Sequence, residues 1–328
     1  MWTIALAMLL PAVGFAGEQS RAAEQCLYLT ADFQVGQTLR YRFVTDRTVD
    51  IDWDPSGTMS RGRQADSKVT ESLEVVVAYE PVEVDPYGLS TIKATCESVK
   101  AARSRSTSGR AGLRDAAETL AGKSFTFTVD PAGRLVDTSA LDALIKEAGD
   151  AAFRPTTDTS RGRIKEPDMI GDFTATQWFL YDAIASVPSP SKGVVVGQSW
   201  SSQLSIPTPM VSRQGRDVRY TLGEVRPNPQ GRLAVIKEAF SLAESPRRDW
   251  PMPYVGSFQV AGTFGFLRGY KFLSLEGTGE QIYNLDAGRP DSYKHTYVLK
   301  AEAMMMIPLG PNPQLTIDQT ITMSRVTD

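Results

Sequence analysis

The chain has 328 residues, of which 41% are hydrophobic and 22% are charged, values that are ordinary for a folded globular protein and exclude wholesale disorder. The 35 basic and 38 acidic residues give a formal net charge of −3. This balance excludes a nucleic-acid-binding protein that works through overall positive charge, so we expect no nucleic-acid partner. The length is sufficient for two domains or for one large β domain.

The amino-terminal residues resemble an export signal. Residues 1–16 are almost entirely apolar, too few to span a bilayer, and include small residues at Gly14 and Ala16. We therefore expect a signal peptide over residues 1–16, cleaved after Ala16 or at latest after Ala23, and a periplasmic or secreted mature protein. A buried amino-terminal strand is the alternative interpretation. No later segment has the length and composition of a transmembrane span.

Two cysteines remain after this segment, Cys26 and Cys96. In the oxidising compartment that export implies, a lone pair of this kind predicts a Cys26–Cys96 disulfide. Closing a loop of this length would stabilise the protein by about 4 kcal/mol on the loop-entropy model. Two buried free thiols are the alternative.

Strand patterns dominate the rest of the chain in order. Apolar side chains alternate over residues 73–79, a tight turn follows at 85–88, and a second strand returns over 89–99, which predicts a hairpin. A similar hairpin is predicted over residues 218–242. Further strand patterns lie within residues 256–285, 293–307 and 315–323.

Helix patterns are few and short. One is expected over residues 113–120, and a second begins at a capped start, residues 137–139. The third runs over residues 172–185 and ends before Pro188. Its apolar stripe consists of Phe173, Trp178, Tyr181 and Ile184, which we interpret as a possible lid helix over the sheet.

The chain also contains three short motifs twice, in the same order. Residues 35–39 (Val-Gly-Gln-Thr-Leu) return as 196–200 (Val-Gly-Gln-Ser-Trp), and the Ile92-Lys93 pair returns as Ile236-Lys237. A strand ending in Asp130, with Gly133 after it, returns with Asp286 and Gly288. The order predicts a tandem pseudo-repeat, with one β repeat over residues 26–150, a loop and bridging helix over 151–190, and a second β repeat over 191–328.

Residues with catalytic chemistry are scarce. His295 is the single histidine, in a segment expected to be an exposed strand start, and no nucleophile motif, phosphate loop or paired-cysteine motif is present. We therefore expect no catalytic residue and no cofactor. Asp50, Asp52 and Asp54 have the spacing of a calcium loop, yet Pro55 and Arg61 occupy positions where such a loop needs Gly and Glu. They are weak metal candidates, and a solvated strand face is the preferred interpretation.

One further pattern is a run of flexible apolar side chains. Met304, Met305 and Met306 suit an irregular apolar cavity, although an ordinary sheet core is the preferred interpretation.

The repeated Gly-Gln motif, the Asp-x-x-Gly turn after a strand, and the helix–Pro–Val-x-x-Gly bridge resemble families of uncharacterised exported β-rich bacterial proteins of planctomycete type, known only as domains of unknown function. The resemblance implies no activity.

The fold class we expect is mainly β: tandem antiparallel units forming a curved sheet or open half-barrel, with a few short helices, one of them bridging the repeats. Such a sheet favours a non-enzymatic binding protein whose partner is a hydrophobic or lipid ligand. The alternatives are a structural or interaction protein with an envelope partner, and a carboxylate-dependent hydrolase.

Overall fold

The computed structural model describes residues 26–57, 68–104, 115–153, 169–206, 214–245, 267–305 and 311–327. The predicted signal peptide and Met306 lie outside these residues. No helix in the described part of the chain is both long enough and apolar enough to cross a membrane.

The described strands form one antiparallel sheet of eleven strands that is curved and does not close. The mainly β fold class is therefore confirmed. In chain order the strands are β1 (Leu39–Asp52), β2 (Val69–Val84), β3 (Ser90–Arg103), β4 (Ser124–Val129), β5 (Leu135–Asp137), β6 (Ser199–Ser205), β7 (Gly215–Arg226), β8 (Leu233–Leu242), β9 (Leu267–Asn284), β10 (Arg289–Met305) and β11 (Gln314–Val326).

The order across the sheet is β5-β4-β3-β2-β1-β11-β10-β9-β8-β7-β6. Consecutive strands therefore pair throughout, except β5 and β6, which form the two edges of the sheet. At the centre the last strand, β11, also pairs with the first, β1. The two predicted repeats are parts of a single sheet, joined through this last strand. Register shifts bend the sheet, for example between Pro81 and Glu83 of β2 and between Leu222 and Glu224 of β7.

Helices cover one face of the sheet. They are α1 (Ser139–Phe153), α2 (Ile170–Trp178) and α3 (Asp182–Ala185), with 3₁₀ helices at Ala116–Leu120 and Pro190–Lys192. The Asp137 carboxylate accepts a hydrogen bond from the Ser139 N–H at the start of α1, which is the expected capped start. The segment predicted at residues 113–120 forms the first 3₁₀ helix.

The sheet has one buried and one exposed face because its strands alternate apolar and polar residues. In β1, Tyr41, Phe43 and Val49 are buried, whereas Arg42 and Asp46 between them are exposed. On the buried face, ring contacts cross the strands and reach α2. The Tyr79 ring contacts the Tyr41 and Phe127 rings, and the Phe125 ring meets the Phe173 ring of α2 edge to face.

An amino-terminal segment, residues 26–33, ties the two ends of this core together. Leu27 forms an isolated β-bridge with Val194. The Ala31 N–H donates to the Pro131 carbonyl, in the β4–β5 turn, and the Asp32 N–H donates to the Gly288 carbonyl, in the β9–β10 turn. Successive residues of one segment thus bind turns from both halves of the chain.

The repeated motifs occupy corresponding positions in the sheet. β1 and β6 each follow a Gly-Gln motif, and each begins a meander whose successive strands are added in the same direction. Three turns of the first half each have a glycine that corresponds in the motif order to a glycine in a turn of the second half. All six have positive φ: Gly36 and Gly197, Gly88 and Gly231, Gly133 and Gly288.

The strand registers of the two halves differ, however. Ile92 pairs with Phe127, whereas Ile236 pairs with Gln281, two residues before the Tyr283 that the sequence motifs align with Phe127. Superposition of the two halves stays a prediction.

The predicted disulfide is absent, because both cysteines are free. Cys96 is buried on β3, where its backbone pairs with Lys123 and Gly122. Cys26 is exposed, and its thiol donates to the Lys192 carbonyl near the Leu27–Val194 bridge. A disulfide forms only when the backbones of the two cysteines lie close together in the right orientation. The sequence shows that two thiols are present but does not show where their backbones lie.

Candidate binding site beneath the helices

Two groups of polar side chains are buried between the helices and the sheet. The first, called the ion cluster here, consists of Arg47, Glu71, Arg103, Asp115 and Asp172. The second, called the Arg216 pocket, consists of Arg216, Glu238, Gln281 and His295 together with the apolar residues around them. Buried charges of this kind are rare unless they are paired or functional, so each group needs an explanation.

The ion cluster is built around Arg47 of β1. The Arg47 Nε atom lies 2.5 Å from Glu71 Oε2, and Arg47 Nη1 lies 2.9 and 2.7 Å from the two Asp172 oxygens. Arg103 extends the chain of ion pairs from Glu71 to Asp115, with distances of 2.7 Å to each. The cluster therefore links three strands to the start of α2 and to the first 3₁₀ helix.

The charges of the ion cluster affect its acids differently. Burial raises the pKa of Glu71, but Arg47 and Arg103 outweigh burial and hold that pKa below its ordinary value. For Asp172, burial is the largest effect and raises the pKa to about 6, although Arg47 opposes it. The ion cluster is closely hydrogen-bonded, and its geometry fits the attachment of α2 to the sheet.

The Arg216 pocket lies beyond the carboxyl end of α2. Its sheet side carries Arg216 and Tyr220 of β7, Glu238 of β8, Gln281 of β9 and His295 of β10. Leu204 of β6, paired with Arg216, and Ile321 of β11, paired with His295, add apolar side chains to the same side. The helix side is formed by Ala175, Thr176, Phe179 and Leu180. The cavity holds about 20 Å³, which by this measure is room for about one water molecule.

Glycine on β9 creates the space in which two of these polar groups meet. Gly279 pairs with His295 on one side and with Glu238 on the other. A Cβ atom at Gly279 would lie 2.9 Å from both Glu238 Oε2 and His295 Cδ2. Without it, Glu238 Oε2 approaches to 2.9 Å from His295 Nε2 across the intervening strand. The His295 ring also stacks on Tyr293, with centroids 4.4 Å apart.

Most of the unsatisfied polar atoms of the Arg216 pocket are hydrogen-bond donors. Among the described residues, Arg216 Nε and Nη1 and Gln281 Nε2 are buried and have no hydrogen-bond partner, and the same is true of Glu238 Oε2 and His295 Nε2. The Arg216 guanidinium is held instead over aromatic rings, 4.7 Å from the Phe240 centroid and 5.2 Å from the Tyr297 centroid. The pocket therefore presents unsatisfied N–H groups to its cavity.

The start of α3 is attached to the sheet next to this pocket. Asp182 accepts hydrogen bonds from the Tyr220 hydroxyl at 2.7 Å and from the Ser202 hydroxyl at 3.0 Å. Burial raises the pKa of Asp182 to about 6, and these two hydrogen bonds lower it only partly. The Trp200 ring stacks on Tyr220, and its N–H donates to the Ala183 carbonyl.

The four predicted lid residues do not lie on one helix. The segment predicted as a single helix over residues 172–185 breaks at Phe179, whose N–H still binds the Ala175 carbonyl, so that α2 and α3 are separate. Thr174 and Thr176 donate their hydroxyls to backbone carbonyls within the α2 region, which weakens helix continuation.

The break directs these side chains differently. Phe173, Tyr181 and Ile184 are buried against the rest of the core, whereas Trp178 donates to Asp142 of α1. The Ile184 side chain covers Gly133, where a Cβ would lie 2.6 Å from Ile184 Cγ1.

The weak metal candidates lie elsewhere. Asp50 and Asp52 are exposed at the end of β1, and Asp54 follows it in a turn in which its N–H donates to Asp52. Among the residues that the structure describes, no three His, Cys, Asp or Glu side chains are grouped as a metal site requires. Met304 and Met305 are half-buried at the end of β10, far along the strand from His295.

A larger depression lies on the exposed face of the sheet. It has a volume of about 500 Å³ and crosses β3, β2, β1, β11 and β10. Polar side chains line it, exposed at Asp46, Thr296 and Asp318 and half-buried at Ser72 and Thr320. Arg47, Glu71 and Arg103 of the ion cluster also belong to its lining.

The sequence interpretation missed the residues of both buried groups, although a signal was present. Arg47 is in phase with Phe43 and Val49 on β1, and Glu238 is in phase with Ile236 and Phe240 on β8. A charged residue in the apolar phase of a strand is expected to be buried. Glycines two residues apart in β9, Gly277 and Gly279, were a second signal, since strand glycines mark close approaches. His295, expected at an exposed strand start, lies inside β10 with its side chain 12% exposed.

Comparisons with known proteins give little that bears on this site. No protein-family model and no curated protein sequence matches the chain. A solved structure described as showing lipid–protein interactions in lipovitellin is similar to it, with a TM-score of 0.39 and 9% sequence identity, over 90% of this chain and 26% of the other. This chain therefore corresponds to about a quarter of that protein, and at this score the similarity carries no argument about either fold or function.

Proposed function

We propose that this protein is an exported, non-enzymatic binding protein for an amphiphile, a molecule with an apolar chain and a polar head. The observation that carries the proposal is the composition of the Arg216 pocket. Apolar side chains of the helix layer, and of β6 and β11 beside them in the sheet, surround a group of buried N–H donors that lack acceptors among the described residues. A lipid-like ligand would satisfy both sides at once, since its chain needs an apolar wall and its head needs hydrogen bonds.

Binding of such a ligand requires the helix layer to move. The cavity of about 20 Å³ is far smaller than the few hundred cubic ångströms that an apolar chain occupies. In this proposal the helix layer opens to admit the ligand. Besides the apolar packing of its buried side chains, the layer is attached by polar contacts that water can replace on opening: Asp172 with Arg47, Gln177 with Tyr79, and Asp182 with Tyr220.

The first test is whether an amphiphile is retained. The full chain, purified from its own source without detergent, is measured by native mass spectrometry, and the bound material is extracted and identified. We expect an amphiphile of one chemical class at close to one molecule per chain. A protein that carries none, and that binds neither fatty acids nor phospholipids after delipidation, would contradict the proposal.

A matched pair of variants tests where the ligand binds. Ala175 lines the Arg216 pocket from α2, whereas Ala148 is buried in α1 and does not. Enlarging a buried alanine to leucine overpacks a core at about 1–3 kcal/mol in either place. We expect Ala175→Leu to reduce ligand retention and Ala148→Leu to leave it unchanged. Equal retention in both variants would place the ligand elsewhere.

The second candidate function is an interaction protein of the cell envelope, which one observation favours. β6 is the last strand on its side of the sheet, and no described strand pairs with its outer edge. Free strand edges can accept a strand from a partner. A partner that co-purifies in place of an amphiphile, and that is lost on substituting Gln203 of β6 by proline, would support this role.

A further inference from the structure

Arg216 is a buried cation with hydrogen-bond donors that none of the described residues satisfies. Its exposed fraction is 3%, and neither its Nε nor its Nη1 atom has a hydrogen-bond partner in this part of the chain. Buried guanidinium groups normally have carboxylate or carbonyl partners, as Arg47 has in the ion cluster of the same sheet. The guanidinium of Arg216 lies over the rings of Phe240 and Tyr297. These cation–π contacts hold the group in place but are not hydrogen bonds to its N–H groups.

Of the acceptors near Arg216, Asp182 accepts hydrogen bonds from Tyr220 and Ser202. Glu238 Oε2 lies 2.9 Å from His295 Nε2, but among the described residues neither atom has a hydrogen-bond partner. The third unsatisfied donor, Gln281 Nε2, belongs to the same cavity wall. The site therefore has a surplus of donors, and one of them carries a full positive charge.

We infer that the Arg216 pocket binds the carboxylate head of a fatty-acid-like amphiphile, with Arg216 as the residue that recognises the charge and Gln281 as a second donor. This inference rests on the proposed function and specifies its ligand. A carboxylate offers only acceptors, which is what the unsatisfied donors require. The apolar chain would lie between Leu180 of the helix layer and the sheet residues Leu204 and Ile321, which flank the polar group.

Glu238 makes the site selective for a small anion. Its charge repels a second anion, and the contact with His295 draws its Oε2 atom towards β10. Among anionic heads that can pair with Arg216, a singly charged carboxylate is repelled least by Glu238. A phosphate head carries more charge and more oxygens, and it fits a cavity of about 20 Å³ less well.

The test compares three ligands with the same twelve-carbon chain: dodecanoate, dodecanol and dodecyl phosphate. Their affinities for the delipidated full chain are measured by isothermal titration calorimetry below their micelle concentrations. We expect dodecanoate to bind at least about ten-fold more tightly than either of the others. Arg216→Met should lower dodecanoate affinity to that of dodecanol and leave dodecanol affinity unchanged.

Controls separate charge recognition from folding. Arg219 lies three residues along the same strand, exposed on the opposite face, so Arg219→Met should change none of the three affinities. Arg216→Met replaces unsatisfied donors by an apolar chain among aromatic rings, so its melting temperature should be no lower than that of the wild type. If it does not fold, Gln281→Leu provides the same comparison with one donor removed and should reduce the preference for dodecanoate.

The outcomes distinguish this inference from the proposed function. Equal affinity for dodecanoate and dodecanol, tighter binding of dodecyl phosphate, or unchanged dodecanoate affinity in folded Arg216→Met would overturn the carboxylate site and leave amphiphile binding intact. Absence of binding for all three ligands, together with no co-purified amphiphile, would remove both.

Discussion

Glu238 of β8 and His295 of β10 are in contact, 2.9 Å apart, although β9 lies between their strands. Gly279 of β9 pairs with both residues, and its lack of a side chain opens the path between them. Side chains two strands apart are normally separated by roughly 10 Å, twice the spacing of neighbouring strands. One glycine therefore determines which polar groups of the Arg216 pocket are engaged and which are not.

Substituting this glycine should disrupt the contact. In Gly279→Ala the new methyl group would lie 2.9 Å from both partners, so we expect a loss of about 1–3 kcal/mol in the free energy of unfolding. Gly269→Ala in the same strand is the control, since a methyl group there would lie 3.7 Å from its nearest neighbour, the flexible end of the Met304 side chain. Urea denaturation of the two variants measures the difference, and equal stabilities would contradict the role assigned to Gly279.

Breaking the ion cluster should destabilise the fold strongly. Arg47→Met removes the cation that contacts Glu71 and Asp172, and both carboxylates are almost fully buried. Truncating one partner of a buried ion pair typically costs about 3–5 kcal/mol. Arg42 lies on the exposed face of the same strand, so the free energy of unfolding of Arg42→Met should stay within about 0.5 kcal/mol of the wild-type value. Chemical denaturation at pH 7 decides, and a loss below about 1 kcal/mol for Arg47→Met would show that the cluster contributes little.

Asp182→Asn should remove a pH dependence of stability. Burial raises the pKa of Asp182 from 3.8 to about 6, so the folded protein binds this proton more tightly than the unfolded chain does. The stabilising contribution of the protonated carboxyl is therefore complete below pH 4 and is lost as the pH rises through 6. At pH 7.5 the free energy of unfolding of the variant should exceed that of the wild type by at most about 3 kcal/mol, and this difference should vanish near pH 4. Thermal melts across this range measure it, and a difference independent of pH would be evidence against the shift.

The two thiols should react at different rates. Cys26 is exposed, whereas Cys96 is buried and burial raises its pKa to about 12. We expect one thiol per chain to react with an aromatic disulfide reagent in the native protein and two after unfolding without reductant. The Cys26→Ser variant should lose the native reaction alone. A thiol count of zero in the unfolded, unreduced protein would restore the disulfide.

Local patterns predicted the elements that depend on neighbouring residues. The hairpin expected over residues 73–99 is present as β2 and β3, because alternation and a Pro-Gly turn are sufficient to specify it. The position of β11 between β1 and β10 was not predictable in this way, since it depends on a pairing between the first and the last described strand of the chain. The contact of Glu238 with His295 was equally hidden, because it required the order of three strands.

The helix expected over residues 172–185 shows a different limit. Its apolar residues were identified correctly as buried for Phe173, Tyr181 and Ile184, but the pattern treated them as one stripe. The break after α2 turns Trp178 towards α1, and this turn depends on tertiary contacts such as the hydrogen bond to Asp142. The buried face was thus predictable, and the path of the backbone was not.

The central place of β11 has a consequence for the order in which the protein can form during synthesis. β1 is made early and finds β2 at once, but its other edge has no partner until residues 314–326 have emerged. The same is true of β10, whose second partner is also β11. Until then, the nascent chain consists of two half-sheets with open edges, which are prone to wrong pairing. A chaperone that binds extended segments would therefore have its main effect late in synthesis, and a pause before β11 would prolong the vulnerable state.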